Sequence, residues 1–79
     1  MSVRTLHEAV TGTVVEWNAT EGWGVVRTPD GLLAWCHFSH VQMPGYRELI
    51  PGSRVVFDYQ TPGQDGYPAR VTSMVRPVD

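Results

Sequence analysis

Lysine is absent from this sequence, cysteine occurs once, and long apolar runs are missing. The single Cys36 excludes an internal disulfide and fits a reducing compartment. No apolar run approaches the roughly 18 residues that a membrane span needs, and the N-terminus lacks a basic start followed by an apolar stretch. We therefore expect a soluble cytoplasmic protein, and its 79 residues allow one small domain.

A basic excess is missing as well. All six basic residues are arginine, and eight acids give a formal net charge of −2. A protein that binds nucleic acid mainly by neutralising phosphates normally carries more basic than acidic residues. Any affinity of this chain for nucleic acid must therefore depend on stacking, to which the planar guanidinium of arginine also contributes.

The most informative stretch is residues 22–38, which predicts a hairpin. Pro29-Asp30-Gly31 predicts the turn, because proline pre-sets φ and glycine accepts positive φ. Side chains alternate along a strand, so Trp23, Val25 and Arg27 point to one side, and on the partner strand Trp35 and His37 share a face. The other face of the hairpin carries small residues suited to burial: Gly24, Val26, Thr28, Ala34 and Cys36.

The face with two indoles and an imidazole predicts a binding surface. Flat rings on an open sheet suit base stacking, and each stacked base contributes about 1–3 kcal/mol. The alternative is that the indoles pack against the N-terminal segment or a second copy of the chain, since tryptophan is also a favoured interface anchor.

Further strands are predicted outside the hairpin. Residues 12–18 predict the first strand, residues 54–60 a fourth with Val55, Phe57 and Tyr59 on its apolar face, and residues 67–75 a fifth. Glycine and proline pairs mark the turns between them. Five short strands without a long helix predict an all-β fold, a closed or partly open five-stranded antiparallel barrel of the OB-fold type.

The chain is divided by these patterns into an N-terminal extension (1–11), the barrel domain (12–76) and a short tail (77–79). The extension has mixed periodicity. It either begins a helical turn around Ser2 and Thr5, or docks on the barrel as a loose tail through Val3 and Leu6.

Three segments, in order, resemble the cold-shock domain family. Glu21-Gly22-Trp23-Gly24-Val25-Val26 is similar to its first ribonucleoprotein motif, Lys-Gly-Phe-Gly-Phe-Ile, and Ala34-Trp35-Cys36-His37-Phe38-Ser39 to its second, Val-Phe-Val-His-Phe-Ser. Gly12-Thr13-Val14-Val15-Glu16-Trp17-Asn18-Ala19 resembles the opening Gly-x-Val-Lys-Trp-Phe-Asn, with Val14 as the core valine. The resemblance implies binding of single-stranded RNA or DNA with low sequence specificity, and a role as an RNA chaperone or as a regulator of transcription or translation.

The resemblance also implies which residues bind. Phe38 is ambiguous, because strict alternation sends it inward, whereas a bend at the strand end would bring it to the binding surface. Tyr46 lies in the long loop after the hairpin and either reaches the bound strand or folds over the barrel end. Arg27 and Arg47 are expected to contact phosphates. Apart from Arg47, the predicted nucleic-acid-binding residues are Trp17, Trp23, Val25, Arg27, Trp35, His37, Phe38 and Tyr46.

Four positions depart from the family pattern. Val15 and Glu21 replace lysines, Glu16 replaces a stacking tryptophan, and Val25 replaces a phenylalanine. These changes remove cations and rings and add acids. They predict weaker affinity than is typical of the family, or a changed ligand.

Other function classes find less support. Cys36, His37 and His40 are candidate metal ligands, but adjacent strand residues face opposite sides, so Cys36 and His37 cannot easily hold one ion. The same geometry argues against a cysteine nucleophile with a histidine base. We expect no metal, no cofactor and no enzymatic activity. The competing function is a protein-interaction module or homodimer that uses the tryptophan face, favoured by Glu16, Glu21 and the negative net charge.

Overall fold

The strands close into a small barrel. The computed structural model describes residues 4–41, 49–63 and 66–78, and the strands follow one another around the barrel in the order β1-β2-β3-β5-β4. This confirms the predicted all-β, five-stranded barrel. Within the described ranges, no helix is long and apolar enough to span a membrane. The elements are β1 Thr5–Asn18, β2 Trp23–Arg27, β3 Leu33–His37, a 3-10 turn Phe38–His40, β4 Arg54–Thr61 and β5 Ala69–Pro77.

One seam of the barrel corrects the prediction of a purely antiparallel sheet. β3 and β5 are parallel, with Ala34 opposite Ala69 and Trp35 opposite Arg70, whereas the other pairs are antiparallel. A parallel neighbour requires a crossover connection. Here the chain leaves β3, passes through β4 and returns as β5, which supplies that crossover.

The first strand is twice as long as predicted. Its N-terminal half pairs with β4 and its C-terminal half with β2, and Thr13 is paired on both sides. Thr5 to Thr11 therefore belong to the sheet, in place of the helical turn or loose tail considered above. Gly12 allows this close passage, because a Cβ there would collide with the carbonyl oxygen of Arg27 and the ring of Phe57.

The long strand is interrupted near its start. Pairing with β4 shifts between His7 and Val10, and Ala9 takes a φ of 52°. The backbone N–H of Ala9 donates to Oδ1 of the buried Asp58 at 2.8 Å, and the Ser73 hydroxyl donates to Oδ2 at 3.1 Å. One carboxylate thus links the bulge in β1 to β4 and β5, satisfying polar groups that burial would otherwise leave unpaired.

The core lies where the sequence pattern predicts it. Val55, Phe57 and Tyr59 of β4 are each at most 2% exposed, as is Val14 of β1. The small face of the hairpin is also buried, including Val26, Ala34 and Cys36 at 0%. Since this face fills the barrel, the opposite face of β2 and β3 is turned outward.

Candidate nucleic-acid interface

Four aromatic side chains meet on the outer side of β2 and β3. Trp23 lies directly opposite His37, and Trp35 is two residues before His37 on the same strand. Directly opposite residues of antiparallel strands project to the same side, so both indoles and the imidazole share one face. Trp23, Trp35 and His37 are partly exposed, and Phe38 is 40% exposed. We call Trp23, Trp35, His37 and Phe38 the aromatic face.

The rings of the aromatic face are neighbours. The centroids of Trp35 and His37 are 5.9 Å apart with 35° between the planes. Those of His37 and Phe38 are 4.6 Å apart with 45° between the planes. These separations are typical of aromatic pairs in contact. The rings of Trp35, His37 and Phe38 therefore support one another in place while part of their surface remains open to solvent.

The 3-10 turn resolves the ambiguity of Phe38. β3 ends at His37, and Phe38 begins the turn, so strict alternation no longer applies and the ring stays on the outside. The Phe38 N–H donates to the Gly22 carbonyl at 2.8 Å. A Cβ on Gly22 would lie 2.9 Å from Cδ1 of Phe38, and the φ of Gly22 is +77°. Glycine is needed here because it lets the ring lie against the backbone.

Local hydrogen bonds fix the orientation of His37. The Ser39 N–H donates to Nδ1 of His37 at 3.2 Å, and the Ser39 hydroxyl lies 2.9 Å from the same nitrogen. In the neutral ring, an Nδ1 that accepts this N–H leaves the proton on Nε2. The imidazole is thereby held in one tautomer and one plane.

An acid holds the first tryptophan of the aromatic face. Nε1 of Trp23 donates to Oε1 of Glu21 at 2.8 Å. The N–H of Glu21 in turn donates to the side-chain oxygen of Asn18 at 3.0 Å, and Asn18 lies opposite Trp23 in the sheet. Glu21, which replaces a family lysine, therefore sets the position of an indole as well as adding a negative charge.

Two predicted binding residues are absent from this surface. Val25 is only 2% exposed, lying between Glu16 and Trp35 on the neighbouring strands. Trp17 lies opposite Gly24 and packs against the core, because a bulge between Val14 and Glu16 shifts the alternation of β1. Val25 is therefore almost inaccessible, whereas Trp17 is partly exposed on the core side of the sheet; the binding role of both residues stays a prediction.

The remaining predicted residues divide into two groups. Arg27 is exposed at the end of β2, on the same side as Trp23. Tyr46 and Arg47 lie outside the described residues, so their predicted contacts remain predictions.

Two residues near the aromatic face were missed by the site prediction. Arg70 lies directly opposite Trp35 across the parallel seam. His40 lies beside His37, with ring centroids 6.4 Å apart. Burial, followed by electrostatic interaction with His37 and Arg70, lowers the pKa of His40. Only the pairing of β3 with β5 reveals Arg70, and no local sequence signal indicates that pairing.

Cys36 is separated from these histidines by the sheet itself. It is fully buried on the core side, and burial raises the pKa of its thiol to about 12. A thiol with such a pKa stays protonated near neutral pH and is a poor nucleophile and metal ligand. Cys36 is therefore a small core residue.

The sequence of this chain is similar to that of known proteins. The family model described as "'Cold-shock' DNA-binding domain" matches residues 10–74. The major cold shock protein of Streptococcus pyogenes serotype M6 is 40% identical over 55 residues, covering 70% of this chain and 81% of that protein. Cold shock protein 1 of Lactiplantibacillus plantarum is 38% identical over 50 residues, covering 63% of this chain and 76% of that protein. The chain belongs to the cold-shock DNA-binding domain family, whose members are nucleic-acid-binding proteins and not enzymes.

Proposed function

We propose that this protein binds single-stranded RNA or DNA by stacking unpaired bases on the aromatic face. The observation that carries the proposal is the placement of Trp23, Trp35, His37 and Phe38 on one partly exposed side of the sheet. Every nucleobase has a π-face, so rings of this kind accept any base with little readout of sequence. Low specificity follows from the same geometry.

Stacking supplies most of the affinity in this proposal. Each stacked base contributes about 1–3 kcal/mol. Arg27 and Arg70 border the rings and offer contacts to phosphate, whereas Glu16 lies opposite Val25 in the same row of side chains. The acids weaken the attraction for the phosphate chain, so the rings are the main source of binding energy.

A fluorescence titration tests the proposal. Oligo-dT and oligo-U of about six nucleotides are added at low salt, and the quenching of tryptophan emission gives the dissociation constant. The exposed Phe38 supplies the variant, Phe38→Ala, which is expected to weaken binding by about five- to 150-fold, the loss of one stack. Leu6→Ala is the matched control, because Leu6 is 55% exposed and lies on β1 opposite Gln60, with β4 and β5 between it and Trp35 of β3.

Two results would contradict the proposal. One is the absence of quenching by micromolar oligonucleotide while the protein is folded. The other is equal affinity of the Phe38→Ala and Leu6→Ala proteins for the same strand.

Stacking of unpaired bases also provides a mechanism for a chaperone role. A surface that binds only unpaired bases stabilises open strands relative to paired ones. We propose that the protein lowers the melting temperature of a weak RNA hairpin, which optical melting with and without an excess of protein measures. Unchanged melting under conditions that saturate a single strand would remove this part of the proposal.

A protein-interaction role for the same face is the second candidate, favoured by the acids beside the rings. Trp23 is bonded to Glu21, and Glu16 lies next to the buried Val25. A homodimer that covers the aromatic face would sediment as a dimer at high concentration and would be displaced by oligonucleotide. A monomer at high concentration would exclude self-association.

A further inference from the structure

A row of exposed arginines leads away from the aromatic face around the barrel. Arg27 shares a face of β2 with Trp23 and lies directly opposite Thr13 of β1, and Thr13 lies in turn opposite Arg54 of β4. Opposite residues project to the same side of the sheet. Because neighbouring strands are about 4.8 Å apart, the Cα atoms of the two arginines are about 10 Å apart.

Arg76 continues this row onto β5. It lies directly opposite Val56, two residues along β4 from Arg54. Such diagonal neighbours in antiparallel strands are about 7–8 Å apart. All three arginines are exposed, and we call Arg27, Arg54 and Arg76 the arginine belt.

The charge of the belt differs from that of the aromatic face. Within the part of the chain that the structure describes, none of its three arginines is held in an ion pair with an acid. The aromatic face, by contrast, has Glu16 and Glu21 beside its rings. A phosphate chain that leaves the rings at Arg27 therefore next meets the positive side chains of Arg54 and Arg76.

We propose that the arginine belt binds the phosphate backbone of a single strand that is longer than the aromatic face can hold. This inference rests on the proposed function, because the strand must first be seated on the rings. Charge complementarity identifies the occupant: three adjacent guanidinium groups match a run of phosphates, and Arg27 makes the belt continuous with the base-stacking surface. The barrel thus has a stacking surface and an electrostatic surface, which bind different segments of the same strand.

The experiment compares two strand lengths. Oligo-dT of about six nucleotides is sufficient for four rings, and oligo-dT of about 20 nucleotides reaches the belt, since a single OB barrel covers about 4–16 nucleotides. Affinities are measured by tryptophan quenching over a range of salt concentrations. The variants are Arg54→Gln and Arg76→Gln, with Arg54→Lys as the variant that keeps the charge.

Arg4→Gln is the matched control. Arg4 is exposed and immediately precedes the first residue of β1, nine residues before Thr13, and its replacement changes the net charge by the same amount. All substituted side chains are exposed, and far-ultraviolet circular dichroism verifies that each variant is folded.

The expected result is a loss confined to the long strand. Arg54→Gln and Arg76→Gln each weaken binding of the 20-nucleotide strand by about two- to fivefold at low salt, the effect of one exposed charge pair. Each also makes the slope of log K against log[salt] shallower by about 0.7. Binding of the six-nucleotide strand stays within about twofold of the wild type, Arg54→Lys retains the long-strand affinity, and Arg4→Gln affects neither strand.

Four outcomes overturn the inference. Equal losses for both strand lengths would show a general charge effect, and an Arg4→Gln loss equal to that of Arg54→Gln would show the same. Unchanged long-strand binding in both belt variants would show that the strand follows another path. If the wild type does not bind the short strand, the proposed function fails and the belt fails with it, a result distinct from the other three.

Discussion

Glu21 acts on Trp23 in two opposed ways. Its charge repels phosphate, while its carboxylate accepts the indole N–H at 2.8 Å and holds the ring. Glu21→Gln removes the charge but keeps a side-chain oxygen that can accept this bond. Glu21→Ala removes both. We expect Glu21→Gln to bind oligo-dT about two- to fivefold more tightly than the wild type, and Glu21→Ala to bind more weakly than Glu21→Gln, because its indole is no longer oriented.

The control for this comparison is Glu16→Gln, which removes the same charge from a position opposite Val25. It is expected to strengthen binding as Glu21→Gln does. Tryptophan quenching at low salt gives all four dissociation constants. Equal affinities of Glu21→Ala and Glu21→Gln would mean that the hydrogen bond does not contribute to the orientation that binding requires.

His40 predicts a dependence of stability on pH. Burial first, and then His37 and Arg70, lower the pKa of His40 in the folded chain, whereas in the unfolded chain it is about 6.5. Between these values the unfolded chain binds more protons, so the free energy of unfolding falls as the pH drops through about 6.5 toward the folded pKa. The Nδ1 atom of His40 is buried without a hydrogen-bond partner among the described residues, so the folded state gains little from protonating it.

Urea unfolding at about pH 7 and about pH 5 measures this effect. The His40→Gln protein has no group that titrates at this position, so it is expected to lose less stability between the two conditions than the wild type loses. The quantity to compare is the change in the free energy of unfolding between the two pH values, because the substitution itself changes stability at both. Equal losses in the two proteins would mean that His40 is not the group responsible.

A single bulge determines which side chains of strand β1 face outward. The pairing of β1 with β2 shifts between Val14 and Glu16, so Val14 and Trp17 both face the core although they are three residues apart. Strict alternation would place them on opposite faces. A bulge adds one residue without a clear sequence signal at Val15. For this reason Trp17 packs against the core and lies apart from the aromatic face, whereas the uninterrupted hairpin of β2 and β3 is predicted correctly.

The N-terminal half of β1 contributes to stability through a stacked ring pair. His7 lies opposite Tyr59, and their centroids are 4.5 Å apart with 7° between the planes. His7→Ala is expected to lower the free energy of unfolding by about 0.5–1.5 kcal/mol, the value of such a pair. Leu6→Ala, at the adjacent and 55% exposed position, is expected to have almost no effect.

Thermal or urea unfolding of these two variants tests whether residues 5–11 are part of the folded barrel. Oligonucleotide affinity should not change in either, because the pair lies on β1 and β4, away from the rings. If His7→Ala were as stable as Leu6→Ala, the segment would behave as the separate extension that the mixed sequence periodicity predicts.

Across the whole molecule, the sequence predicts local features more reliably than contacts between segments that are far apart in the chain. Turn residues and alternation are sufficient to predict the 22–38 hairpin and the inward face of β4. The parallel contact of β3 with β5 joins Trp35 to Arg70, which are separated by the entire β4 strand. Such a pairing depends on barrel closure and leaves no pattern in either segment. Arg70 therefore enters the candidate site only through the structure, and the arginine belt likewise depends on the registers of three strand pairs.

The net charge of the molecule predicts how its binding responds to salt. Binding of a single strand weakens with salt by a slope of about −0.7 per neutralised phosphate. On a short strand seated on the rings, the cations within reach are Arg27, on the same side of β2 as Trp23, and Arg70, opposite Trp35. The expected slope for a six-nucleotide strand is therefore about −1.4, and a slope steeper than about −3 would mean that phosphate contacts, not the rings, dominate. Since the chain has two more acids than bases, a shallow slope combined with strong tryptophan quenching is the signature that stacking provides the affinity.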